Sequence, residues 1–169
     1  DNSHQKAKIL NIDTNRIKKY LKKYDVLVIA GFQGISTKGN ITSLGRGGSD
    51  TSAVALASAL NAKRCDIYTD VDGVFTTDPN IEPRAKKINK LTFEEMLEMS
   101  STGAKVLHTR SVELAMKNNL VLQVLSSLTN KKGTLIVDEK KLIEKEIVSG
   151  VSYSRNESKV TISGIPDIP

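Results

Sequence analysis

One cysteine, two histidines and no tryptophan occur in 169 residues, and each scarcity closes a class of function. Cys65 has no second cysteine to pair with, which rules out an internal disulfide and fits a reducing cytoplasm. His4 and His108 lie far apart with a single thiol between them, so a zinc site is not expected. Three Phe and four Tyr provide no aromatic platform on which nucleobases could stack. Apolar runs are short, well below the roughly 18 residues that would mark a membrane span.

Charge of one sign is in modest excess. There are 25 basic and 19 acidic residues, a formal net charge of +6. The lysines are dispersed, in Ile17–Lys23, Lys131-Lys132 and Lys140-Lys141, the last beside Glu139 and Glu144. They read as solvated helix faces rather than a nucleic-acid footprint. A basic balance also suits a protein that handles small anions.

What the chain does contain is concentrated in Thr42-Ser43-Leu44-Gly45-Arg46-Gly47-Gly48-Ser49-Asp50. The string joins a strand-like run, 25–31, to a helix-like run, 50–60. A glycine-rich loop feeding a helix N-terminus exposes unpaired N–H groups and the positive end of the helix dipole, a combination that binds phosphates and carboxylates. Gly47 and Gly48 admit a ligand close to the backbone. Arg46 supplies a planar fork for an anion. Asp50 serves equally as a helix cap or as an orienter of a cation or ammonium group.

Around this loop the periodicity predicts a helix from Asp13 or Thr14 to about Lys23. Strands are expected at 25–31 and 64–69, followed by a turn-rich stretch over 70–84. The Thr92/Glu95 spacing of a capping box opens a helix to about Ser101. A further helix is predicted over 104–118 and a strand over 120–125, and 147–153 and 159–163 alternate like exposed strands. Strands separated by helices imply parallel pairing with helices on the faces, an α/β fold.

Five stretches together resemble the aspartate kinases, within the amino acid kinase family. They are the 42–50 string, Gly31-Phe32-Gln33-Gly34, Tyr68-Thr69-Asp70-Val71-Asp72-Gly73-Val74-Phe75-Thr76-Thr77-Asp78-Pro79, Leu91–Met96 with Gly103–His108, and Ser126-Ser127 with Gly133–Ile136. The resemblance spans roughly residues 6–169. It implies a three-layer α/β/α sandwich with an open, mainly parallel sheet, here partial. Residues 1–137 would be the C-terminal half of the kinase domain, 138–146 a linker, and 147–169 the first strand of an ACT regulatory module.

The implied reaction transfers the γ-phosphoryl of ATP, carried with Mg2+, to the β-carboxylate of L-aspartate, on the route to lysine, threonine and methionine. By resemblance Arg46 clamps the α-carboxylate with Ser49 and Gly48, and Asp50 is the acidic organiser. Phe32, as a site residue or simply as core, lies between Gly31 and Gly34 where the reactants meet. Tyr68, Thr69, Asp70, Asp72, Thr77, Asp78 and Pro79 surround the nucleotide. Lys87, or Lys86 in the adjacent register, meets its phosphates. No metal is expected to be held by protein side chains alone. His108 is expected to be a packed helix residue, and Thr109 stands where relatives commonly carry proline.

The family's lysine-containing Gly-Gly loop has no counterpart ahead of Asp1. The expectation is therefore a fragment that is inactive alone, whose partner is the missing N-terminal half and whose full-length form is a homo-oligomer. Two alternatives stay open: another amino acid kinase acting on glutamate, acetylglutamate, carbamate or a nucleotide, and a non-catalytic nucleotide-binding or regulatory piece.

Overall fold

The computed structural model describes residues 1–104, 106–141 and 148–153. Helix α1 spans Thr14–Leu21, and the Asp13 carboxylate caps it by accepting from the N–H groups of Asn15 and Arg16. A small antiparallel hairpin follows, β1 (Gln33–Ile35) and β2 (Ile41–Ser43), in which Ile35 faces Ile41. Helix α2 covers Gly48–Ala59 and leads to β3 (Cys65–Thr69). Then come β4 (Lys90–Thr92), α3 (Phe93–Ser101), α4 (Thr109–Lys117), β5 (Leu122–Ser126) and β6 (Thr134–Val137).

The main sheet has the order β3-β5-β6-β4. β3 runs parallel to β5 and β4 parallel to β6, while β5 and β6 are antiparallel. The register lines up Cys65, Leu122, Ile136 and Leu91 across all four strands, and every one of them is buried. This row belongs to one core that also takes Val54 of α2, Met96 and Met99 of α3, and Val112 and Ala115 of α4. Phe93, Leu91 and Met96 are almost wholly enclosed, and each such side chain contributes about 1.5–3 kcal/mol. The opposite face of the same rows carries Asp66, Gln123, Leu135 and Lys90.

Helix α3 begins with the capping box expected from Thr92 and Glu95. The Thr92 hydroxyl accepts from the Glu95 N–H at 3.1 Å, and the Glu95 carboxylate accepts from the Thr92 N–H at 2.8 Å. Helix α4 starts later than the expected residue 104. Gly103, at φ +129°, ends the preceding turn, and His108 in extended conformation caps α4 through its Nδ1. His108 is thus a cap rather than a helix residue. Thr109 occupies the first helical position, where proline is well tolerated.

Two expected strands do not form. Residues 25–31 make no backbone hydrogen bond among the described residues, and Val26 and Val28 are 78% and 98% exposed. The pattern is apolar enough for a buried strand, but no neighbouring strand pairs with it. Residues 148–153 form no strand either, because their polar groups turn to other partners. The Val151 N–H donates to the Thr76 carbonyl at 2.7 Å, and the hydroxyls of Ser149 and Ser152 meet Glu95 and Thr102. The strand expected over 159–163, most of the 138–146 linker and the side chain of Lys105 lie outside the described residues.

Candidate active site

The glycine loop is built by close approaches. Gly45 and Gly47 sit at φ +79° and +70°, in the left-handed region that favours glycine. A Cβ on Gly47 would come within 2.4 Å of the His108 ring. One on Gly48 would meet Leu44 at 2.9 Å and the Phe32 ring at 3.0 Å. Gly31 lies equally tight against the Ser52 hydroxyl, at 2.9 Å. Gly34 has open space around it.

These contacts bring Gly31, Phe32, Gly48, Ser49 and Asp50 together around the first turn of α2. Phe32 adopts φ +67°. Its N–H donates to the Ser52 hydroxyl at 3.2 Å, and its carbonyl accepts from the Leu44 N–H at 2.9 Å. Its ring is 47% exposed, so it is a wall of the loop and not core.

No side chain caps α2. The Gly48 N–H is taken by the Gly45 carbonyl, and the Thr51 N–H starts the helical ladder on Gly47. The N–H groups of Ser49 and Asp50 have no internal acceptor among the described residues. Arg46 is exposed beside them and makes no hydrogen bond or ion pair among the described residues. The half-buried Asp50 carboxyl is held above its ordinary value by burial. Attraction to His108 and hydrogen bonds from the Ser49 side chain and the His108 backbone oppose that shift. The result is an uncapped helix end, a free guanidinium and a carboxylate within one turn, an arrangement suited to an amino acid's paired charges.

Sequence reasoning missed the support of this loop from α4. Arg110 donates from Nη1 to the Leu44 carbonyl at 2.9 Å and from Nη2 to the Ala7 carbonyl at 2.7 Å. The only sequence signal was a polar His-Thr-Arg triplet opening a helix, which gives no sign of a partner 66 residues away.

Of the expected nucleotide residues, Tyr68, Thr69 and Asp70 lie at the C-terminal end of β3, where α/β sheets place ligands. Tyr68 is 64% exposed, and Asp70 is exposed. The Thr69 hydroxyl accepts from the Val71 N–H at 2.9 Å, and its carbonyl accepts from Ser127. Asp72 is not free. Its carboxylate accepts from Thr129 Oγ1 at 2.7 Å and Lys131 Nζ at 2.8 Å, and these partners hold it below the usual carboxylate range. Asp78 closes a turn by accepting from the Asn80 N–H at 2.9 Å, with Thr77 and Pro79 flanking it.

Where this segment returns, Lys86 exchanges hydrogen bonds with Thr76, and Lys87 forms an isolated antiparallel bridge with Phe75. The Lys87 ammonium donates to the Lys132 carbonyl. Lys86 is exposed, and its ammonium has no partner among the described residues. No hydrogen bond among the described residues joins this cluster to the glycine loop.

No helix among the described residues is long and apolar enough to cross a membrane. Over its full length the chain is 56% identical to an aspartate kinase of Pseudomonas putida and to an aspartokinase of Pseudomonas aeruginosa. It spans only 41% and 42% of those proteins. Among solved structures, Escherichia coli aspartokinase III in complex with aspartate and ADP matches with a TM-score of 0.69 and 40% identity, covering 74% of this chain and 28% of that one. Synechocystis aspartate kinase matches with a TM-score of 0.65 and 52% identity, covering 73% of this chain and 21% of that one. The model of the amino acid kinase family matches residues 2–126. That match opens ahead of α1, takes in both clusters and closes at the last residue of β5, and the chain belongs to the amino acid kinase family.

Proposed function

We propose that this chain is the C-terminal half of the catalytic domain of an aspartate kinase. The enzyme transfers the γ-phosphoryl of ATP to the β-carboxylate of L-aspartate, giving 4-phospho-L-aspartate and ADP. The observation that carries the reading is the start of α2, without a side-chain cap, beside an Arg46 that has no partner among the described residues. The 56% identity of this chain to about two fifths of the length of the Pseudomonas proteins supports it.

The attacking group is already a carboxylate, so the chemistry needs alignment and positive charge more than a base. Arg46 and the N–H groups of Ser49 and Asp50 bind the α-carboxylate, and Gly48 lets it approach. Asp50 faces the substrate's ammonium group. Phe32, Gly31 and Gly34 line the meeting point of the two reactants. Tyr68, Thr69 and Asp70 receive the nucleotide, with Asp72, Thr77, Asp78 and Pro79 shaping the loop around it. Lys86 is the phosphate-binding cation in this reading, because the Lys87 ammonium is already engaged. Magnesium enters as part of the substrate MgATP, held by phosphates and water.

The exposed apolar run Val26, Val28 and Ile29 with Ile35 and Ile41 is the surface that the N-terminal half of the domain covers. That half supplies the lysine loop, and the isolated chain is inactive. In the same reading residues 138–146 lead into an ACT regulatory module opening at 147. The whole enzyme is a cytoplasmic homo-oligomer serving lysine, threonine and methionine synthesis. The test is aspartate-dependent ADP release from MgATP by this chain alone and mixed with the N-terminal half. Turnover only in the mixture is expected. Turnover with glutamate or a nucleotide in place of aspartate would assign a different member of the family, and silence in both arms would make the chain a non-catalytic piece.

A further inference from the structure

The first turn of α4 does more than start a helix. Arg110 reaches across the molecule with both terminal nitrogens, to the Leu44 carbonyl at 2.9 Å and the Ala7 carbonyl at 2.7 Å. Leu44 is the residue immediately before Gly45, so this bond fixes the entrance of the glycine loop. His108 closes the other side. Its ring is so near Gly47 that no Cβ fits between them, and it lies against Asp50. The imidazole is itself held. Its Nδ1 accepts from the Arg110 N–H at 3.3 Å, and the backbone carbonyl of His108 accepts from the Ser111 hydroxyl at 2.7 Å. The loop therefore has one face on α2 and the other on α4, with no cap of its own.

We infer that His108 and Arg110 are positioning residues for the glycine loop: Arg110 sets where the loop begins, and His108 sets how closely Gly47 and Asp50 approach α4. Neither touches substrate. Both determine whether the Ser49 and Asp50 N–H groups and the Arg46 fork converge on one carboxylate. The inference rests on the reading of this loop as the aspartate site.

The experiment is steady-state kinetics of the whole kinase carrying His108→Asn, Arg110→Lys, Arg110→Ala or Arg46→Ala. Asparagine is a good helix cap, so His108→Asn keeps the start of α4 and removes the ring. A lysine ammonium cannot span two carbonyls as a guanidinium does. His108→Asn and Arg110→Lys should each raise the aspartate KM about tenfold, equivalent to about 1.4 kcal/mol, with the MgATP KM within about twofold. Arg110→Ala should be worse than Arg110→Lys. An unchanged aspartate KM in the first two variants overturns the inference, and so does an equal rise in both KM values, which marks general loosening. Arg46→Ala separates the two ideas. If it spares aspartate use, the reading of Arg46 fails, whatever the α4 variants do.

Discussion

Replacing Gly47 with alanine strikes the loop where two independent constraints coincide. The backbone sits at φ +70°, where an L side chain costs about 1–2 kcal/mol. The new methyl would also fall 2.4 Å from His108 Cγ and 2.5 Å from its Cβ, well inside van der Waals contact. Overpacking of this kind costs about 1–3 kcal/mol. His108 cannot simply swing away, because it caps α4 and its carbonyl accepts from the Ser111 hydroxyl and N–H. The total is roughly 2–5 kcal/mol, a large part of a domain's usual margin.

The two terms can be separated by a double-mutant cycle with His108→Gly, read by urea denaturation. Removing the ring together with its Cβ relieves the overlap but not the backbone strain at residue 47, and glycine is still an acceptable cap for α4. Gly47→Ala should therefore cost about 1–3 kcal/mol less in the His108→Gly background. Strict additivity would refute the claim that His108 is the wall against which the loop is built.

Gly34→Ala is the contrasting case. A Cβ there meets nothing within 4 Å, so thermal stability should be unchanged and any loss of turnover would report a ligand passing over Gly34. A fall in Tm beyond a degree or so, about what a few tenths of a kcal/mol produce, would contradict the geometry. Cys65 is 7% exposed, and its thiol is pushed up to about 11, mainly by burial. It should resist alkylation near neutral pH in the native protein and react at once in urea, and rapid native labelling would contradict this. Asp72 is held below its ordinary value of 3.8 by Lys131 and Thr129. Its contribution to stability is present above 3.8 and is lost as pH falls through the lower folded value. Asp72→Asn should lack this acid-limb loss, and because the pair is exposed the difference should shrink in high salt. Parallel acid profiles for the two proteins would refute it.

Legibility in the sequence followed the range of the interaction. The capping box of Thr92 and Glu95 and the Asp13 cap were readable because donor and acceptor lie within three residues of each other. Helix α2 and strands β3 and β5 were readable because their apolar patterns serve one core. The hairpin of β1 and β2 was not. Its strands are three residues long, and the Ser36–Asn40 turn that fixes it relies on the Ser36 hydroxyl and a positive φ at Gly39. β4 was hidden by its length and by its fusion to α3. The pattern at 25–31 pointed to a strand, but pairing depends on a neighbour and not on the strand's own residues. Arg46, Ser49 and Asp50 were legible as a motif. Arg110, whose partners lie 66 and 103 residues away, was not.

A physical criterion also divides the residues singled out along the chain. Asp72, Asp78, Thr69 and Lys87 have their polar groups met by neighbours within the fold, so mutating them disturbs loop shape first and binding second. At the start of α2 the accounts are open. Among the described residues two N–H groups lack internal acceptors and Arg46 stands unpaired, beside an Asp50 carboxyl that is half buried and held by the Ser49 side chain and the His108 backbone. Thr42, in β2 three residues before Gly45, has a buried hydroxyl with no partner among the described residues, which costs about 1–3 kcal/mol. In the proposed reading a charged ligand offsets the open groups of this turn on binding, and the aspartate end of the site is carried by α2. In the same reading the nucleotide end is carried by what the 68–87 segment leaves uncommitted, and among the described residues its charged groups without a partner are Asp70 and Lys86.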